Sequence, residues 1–334
     1  MRMRVSIFLV CLGIVAAFPP PSAAQWEQTW GPAKPQVGAL FVSGSRLYAG
    51  TKECGVFLTE DDGASWRMIS GTIKHRSPVG RTTPPPVTCL ALVGTELYAG
   101  TEYGGVFRTR DGGESWQSVN TDFGLEAFFK ELGVSPEVWI SSFAVIGTTL
   151  FAGQTDFGVY RLSETGEKWV STGEGMPGDP CVISLAARGN DLFAGTELAS
   201  LYFLGASDKE WRQLPLDLPR ETRVHALLVS GIDLFAGTGR GLFRTSDNGQ
   251  SWEKASLGLP ERATIRALAA SGAFLFAGTA EDGVFLSTDK GASWTALNDG
   301  LFDLNVRSLA VGSNYLFAGT PGQGVWRLPL SAVK

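Results

Sequence analysis

The chain has 334 residues, with 28 Lys and Arg against 33 Asp and Glu and a formal net charge of −5. That balance excludes a broad electrostatic grip on nucleic acid, and 4 cysteines are too few for a disulfide framework. The 42 glycines recur at matched places rather than in one linker, so a modular repeat is expected instead of two unrelated cores.

Taken from the start, residues 1–24 read as an export leader. MRMR is a basic opening, VSIFLVCLGIVAAF is an apolar run of about 14 residues, and VAA (15–17) or SAA (22–24) offers small residues for cleavage. The run is short for a bilayer span, and a retained N-terminal anchor is the other reading. The mature chain, residues 25–334, is expected to be a secreted or periplasmic monomer with no membrane span. It keeps Cys54, Cys89 and Cys181.

Next comes AQWEQTW (24–30), and then the chain begins to repeat. RLYAGT (46–51), ELYAGT (96–101), TLFAGQ (149–154), DLFAGT (191–196), DLFAGT (233–238), FLFAGT (274–279) and YLFAGT (315–320) start between 41 and 53 residues apart. Each follows a run such as VTCLALVG or IRALAASG and precedes one such as GVFRT. Short β-rich runs separated by Gly, Asn and Asp turns predict strands, and four per period make a propeller blade. The fold expected is therefore all-β: a seven-bladed β-propeller of four-stranded antiparallel blades in a single domain.

The last repeat stops after its third strand, GVWRL (324–328), whereas AQWEQTW aligns with fourth strands such as ESWQSVN. The N-terminal strand is thus predicted to complete the last blade. Trp26 then joins the series Trp66, Trp116, Trp169, Trp211, Trp252 and Trp294.

One turn recurs before the fourth strand: TEDDGASW (59–66), TRDGGESW (109–116), TSDNGQSW (245–252) and STDKGASW (287–294). The hydroxyls of Thr59, Thr109, Thr245 and Ser287 and the carboxylates of Asp61, Asp111, Asp247 and Asp289 can accept backbone N–H bonds inside the turn. Gly63, Gly113, Gly249 and Gly291 permit positive φ, and Trp66, Trp116, Trp252 and Trp294 can pack between sheets. A calcium loop needs several oxygens converging on one ion, while these acids sit on separate blades, so the turns are expected to be structural.

These turns resemble the Asp-box (BNR) repeats of β-propellers found in sialidases, some plant-polysaccharide hydrolases, sortilin-type receptors and photosystem II assembly factors. LSETGEKW (162–169) and LGASDKEW (204–211) depart from the pattern. The resemblance implies the propeller fold and leaves enzyme and binder both open.

The four turns share one face of the disc. The opposite face, built from second-to-third-strand turns and blade crossovers, varies from repeat to repeat and is where a ligand site is expected. It carries the basic crossover 70–86, with Lys74, His75, Arg76 and Arg81, and the insertion 122–133. There Leu125, Phe128, Phe129 and Leu132 predict a short helix, packed on its own propeller or serving as a partner-docking or lid helix.

The second position of each innermost strand runs Gly38, Thr88, Ser141, Ile183, His225, Arg266, Arg307. Around the last three the adjacent turns bring Glu102, Asp156, Glu197, Arg240, Glu281 and Asp282. His225, Arg266 and Arg307, with Arg240 and Glu281, form the candidate anion-binding set, with plain solvation as the other reading.

A sialidase-like hydrolase would need three arginines, a Tyr–Glu pair and an aspartate, as the resemblance implies. Tyr103 is the one tyrosine on a variable-face turn, no F/Y-R-I-P element is present, and no catalytic residue is assigned. With His75 and His225 the only histidines, no metal or cofactor is expected. Cys54 and Cys89 are either bridged or free. The function expected is an exported, non-catalytic binding or assembly module for a protein, peptide or glycan, with a glycoside hydrolase as the alternative.

Overall fold

The computed structural model describes residues 25–29, 31–32, 36–73, 75–76, 82–120, 123, 138–176, 178, 180–219 and 222–333. Seven four-stranded antiparallel sheets form the seven blades, and within blades 1 to 6 the strands, here A to D, pair in chain order. The segment expected to be an export leader lies outside the described residues, as does the segment expected to be helical apart from Phe123. That ring stacks on Trp169 at 5.1 Å. In the enlarged crossover, His75–Arg76 pairs with Thr82–Thr83 as a two-stranded ribbon.

The repeated sextet is strand B, and its burial explains its composition. In Arg46–Thr51 every residue after the first is buried, because blades pack against both faces and leave no solvent side to alternate with. The glycine of the sextet leaves room for the next blade. A Cβ at Gly50 would lie 2.6 Å from Cγ1 of Val87, at Gly278 2.6 Å from Cγ1 of Val306, and at Gly319 2.7 Å from Cγ1 of Val37. The last of these contacts joins blade 7 to blade 1, so the same packing runs around the whole ring.

The closing threonine of the sextet ties the B–C turn: Thr51 Oγ1 donates to the Gly55 carbonyl at 2.9 Å, and Thr101, Thr279 and Thr320 repeat the bond. Blade 3 has Gln154 there instead. It is fully buried, and its amide atoms have no partner among the described residues.

Strand D is two or three residues long in every blade and lies at the rim. Its tryptophan does the work of a rivet. The indole N–H of Trp116 donates to the Ile69 carbonyl of the preceding blade at 2.7 Å, and Trp169, Trp211 and Trp294 do the same. Trp66 and Trp252 hold the equivalent places, with no partner for the indole N–H among the described residues.

Blade 7 closes as expected. Glu27–Gln28 pairs with Gly324–Pro329, with Glu27 opposite Arg327 and Gln28 opposite Trp326. Trp26 is 3% exposed and donates to the Leu297 carbonyl of blade 6 at 2.7 Å. Arg327 pairs with Glu27 at 3.1 Å and reaches on to the Asp62 carbonyl of blade 1.

Candidate functional site

The chemistry of the turn residues is self-contained. Thr59 Oγ1 donates to Asp61 Oδ1 at 2.7 Å and accepts from the Gly63 N–H at 3.0 Å. The Ser65 N–H and Oγ–H donate to Oδ1 and Oδ2 of Asp61. The same set recurs around Asp111, Asp247 and Asp289. The hydroxyl of the following serine, then neighbouring bonds, pulls the Asp61 and Asp289 carboxyls down to about 2, and Asp111 and Asp247 fall as well. Each carboxylate is thus engaged within its own turn.

On the other face a backbone irregularity aims His225 and Arg266, while Arg307 directly precedes strand A of blade 7, Ser308–Val311, its N–H donating to the Gly319 carbonyl at 2.9 Å. In blades 1 to 6 the A–B register slips after the first residue of strand A, as between Val224 and Ala226 in blade 5 and between Ile265 and Ala267 in blade 6. The second residue falls in that slip, and a bulge re-aims the side chain it carries. What the side chain then does depends on its chemistry. Thr88 donates to the Gly100 and Ile140 carbonyls, and Ser141 to those of Gly153 and Val182, so these hydroxyls turn back onto the backbone between blades.

His225, Arg266 and Arg307 are too long for that role. Together with Gly38, Thr88, Lys52 and Glu102 they line a cavity of about 300 Å³ at the mouth of the central channel. The charge there is one-sided, since Lys52, Arg266 and Arg307 face Glu102 as the one acid of the lining. Burial, then the neighbouring Arg307, holds the Arg266 guanidinium below its ordinary value, and its Nε is buried with no hydrogen-bond partner among the described residues. Burial and then Arg266, Arg223 and Arg307 push His225 down to about 4, so it is neutral near pH 7. Burial raises the Glu102 carboxyl, with Lys52 pulling the other way.

Arg240 and Glu281 do not join that lining. The B–C turn of blade 5 is one residue shorter, with Thr238 bonded to Gly241 three residues on where the other turns span four. Glu281 acts on Arg266 through charge alone, offsetting part of its repulsion with Arg307. Glu197 is occupied by an ion pair with Arg223 and by the Cys181 thiol, which donates to it at 3.1 Å. Burial and that carboxylate push the thiol up to about 12. Cys54, Cys89 and Cys181 are all free, so the bridged reading of the first two does not hold.

Sequence reasoning passed over Lys52 and Trp139. Trp139, in the crossover before blade 3, is 36% exposed beside Tyr103, which is 38% exposed. Their rings lie 5.4 Å apart at 49°. Leu198, Leu257, Phe302 and Leu304 are exposed on turns and crossovers of the same face. Among the described residues there is no cluster of His, Cys, Asp and Glu fit to hold a metal ion, and no helix long and apolar enough to cross a membrane.

No protein-family model and no curated protein sequence matches the chain. Solved structures do. The extracellular domain of BT4673 from B. thetaiotaomicron superposes with a TM-score of 0.71 at 19% identity, over 92% of this chain and 39% of that one. This chain therefore spans well under half of that structure. YCF48 bound to D1 peptide gives a TM-score of 0.71 at 14% identity over 94% and 97% of the two chains, and YCF48 from Cyanidioschyzon merolae 0.67 at 15% over 93% and 100%. At these identities the likeness is one of fold, and that fold is the seven-bladed β-propeller.

Proposed function

We propose that this chain is a non-catalytic binding or assembly module whose channel mouth receives an anionic group of a protein or peptide partner. The carrying observation is the pair Arg266 and Arg307, which line one cavity with Lys52 while the lining offers Glu102 as its one acid. Two guanidinium groups held close repel, and a carboxylate placed between them relieves that repulsion with bidentate bonds. The fold itself does not need them, since blades 1 to 4 place Gly38, Thr88, Ser141 and Ile183 at the equivalent positions. One structure of the same fold is of YCF48 bound to a peptide, which makes a peptide the partner to try first.

The same cavity argues against glycoside hydrolysis, which rests on paired carboxyl groups at set separations. The leader supports export, and extracellular domains stand among the structural neighbours.

The test uses end-blocked peptides rich in Asp and Glu, with lysine-rich ones as the control, titrated by calorimetry. Acidic peptides should bind and basic ones should not. Arg266→Gln with Arg307→Gln should weaken binding at least tenfold, about 1.4 kcal/mol, while melting stays within a few degrees. Unaltered binding by the double variant, or hydrolysis across a panel of glycoside substrates, would overturn the reading.

A further inference from the structure

Beside the cationic mouth, the B–C turn of blade 2 holds a bulky residue in left-handed backbone, where the non-glycine residue so placed in the B–C turn of blade 4 is the small Ala199. Glu102 lines the mouth, and the next residue, Tyr103, adopts φ 70°. Left-handed backbone is costly for a bulky side chain, and such outliers collect at functional sites. Tyr103 is held there by its surroundings. The Val138 N–H donates to the Tyr103 carbonyl at 3.3 Å, and the Gly105 N–H to the Val138 carbonyl at 2.9 Å. The Thr155 N–H and Oγ–H both donate to the Trp139 carbonyl. Two blades thus fix the backbone of two aromatic residues that each leave more than a third of their surface open.

The rings meet at 49°, which makes a notch and not a flat platform. A notch suits a knob-like apolar side chain, whereas a sugar ring stacks on a flat aromatic face. Charge complementarity fixes the rest of the occupant, since the adjoining cavity carries Lys52, Arg266 and Arg307. We infer that Tyr103 and Trp139 form a second subsite for an acidic peptide segment, taking a leucine or aromatic side chain of the same segment whose carboxylate enters the mouth. The inference rests on the reading of the mouth as an anion site. Tyr103 directly follows Glu102 of the mouth lining, so the two subsites adjoin; an extended peptide turns alternate side chains to one face and advances about 3.3 Å per residue, so the two side chains are expected about two to four positions apart.

The experiment titrates labelled, end-blocked decapeptides by fluorescence anisotropy. One series places a single Asp and a single Leu or Phe from one to seven positions apart in a Gly/Ser background, and a second series has the Asp alone. The wild-type protein should bind the paired peptides at least tenfold tighter than the acid-only ones, with an optimum at two to four positions. Trp139→Ala or Tyr103→Ala should abolish that advantage and leave acid-only binding unchanged, while Trp139→Phe should retain most of it. Arg266→Gln with Arg307→Gln should weaken both series.

If the paired peptides gain nothing over acid-only ones, or if Trp139→Ala leaves the advantage intact, the subsite is refuted while the anion site stands. If neither series binds and the arginine variant is silent, the anion site falls too. Uronic-acid oligosaccharides that bind the notch more tightly than every peptide would overturn the choice of partner.

Discussion

His225 is a residue whose surroundings set a measurable property. It is half-buried and faces Arg266, Arg223 and Arg307, with Glu197 opposing them, and these depress it from 6.5 to about 4. Between those values the unfolded chain binds a proton that the folded chain does not, so stability falls as pH drops from about 6.5 toward 4 and is unaffected above that window. The difference in urea midpoint between the native protein and His225→Gln, measured from pH 7.5 to 4.5, should therefore shift in favour of the variant as pH falls. A pH-independent difference would mean that the imidazole is not held between these cations. His225, Arg266 and Arg307 were legible in the sequence because the repeat supplies its own control: aligned positions that hold Gly, Thr or Ser elsewhere expose the three that do not conform. Lys52 and Trp139 were not, because they sit in turns and crossovers, where side-chain direction follows local φ and turn length and not a period.

At the scale of the element, strand B shows why a glycine can be as demanding as a core side chain. Gly278 has no unusual φ, so its requirement is for space: a Cβ would lie 2.6 Å from Cγ1 and 3.1 Å from Cβ of Val306 and 3.3 Å from Cβ of Ala267. Val306 is fully buried and begins the next blade, so it can move only by opening the joint between blades. Gly278→Ala should accordingly cost about 1 to 3 kcal/mol, the range of core overpacking, seen as a lowered denaturation midpoint. Gly71→Ala is the matched control, since a Cβ there meets nothing within 4 Å and the midpoint should hardly move. Adding Val306→Ala to Gly278→Ala should recover part of the loss, which a helix- or strand-propensity effect would not allow. The sequence displayed this glycine seven times and so marked it as necessary, but only the register between blades shows what it makes room for.

For the whole molecule, the number of blades and the manner of closure were readable because both are counting arguments: seven sextets, and a C-terminal repeat missing the fourth strand that the N-terminus supplies. Closure matters physically since an open propeller would leave the outer edge of Gly324–Pro329 unpaired, and exposed edges recruit other chains. The strand that prevents this is short, with two paired residues, so most of its hold comes from what surrounds the pair. Trp26 is buried in the cluster of Phe276, Leu286, Leu301 and Trp326, its backbone N–H donates to the Asp299 carbonyl at 2.8 Å, and Arg327 bonds both Glu27 and blade 1. Losing a buried tryptophan alone costs about 3 to 5 kcal/mol, a large share of the stability of most domains. A chain beginning at Gly31 should therefore melt markedly lower than one beginning at Gln25 and elute partly as oligomers in size-exclusion chromatography with light scattering. Trp26→Ala in the longer chain separates the two contributions: it removes the ring but keeps the paired backbone, so it should lower the melting temperature while the elution profile stays that of the unaltered longer chain. If the chain beginning at Gly31 melts and elutes like the longer one, the ring is held by its six other joints and the N-terminal strand is dispensable.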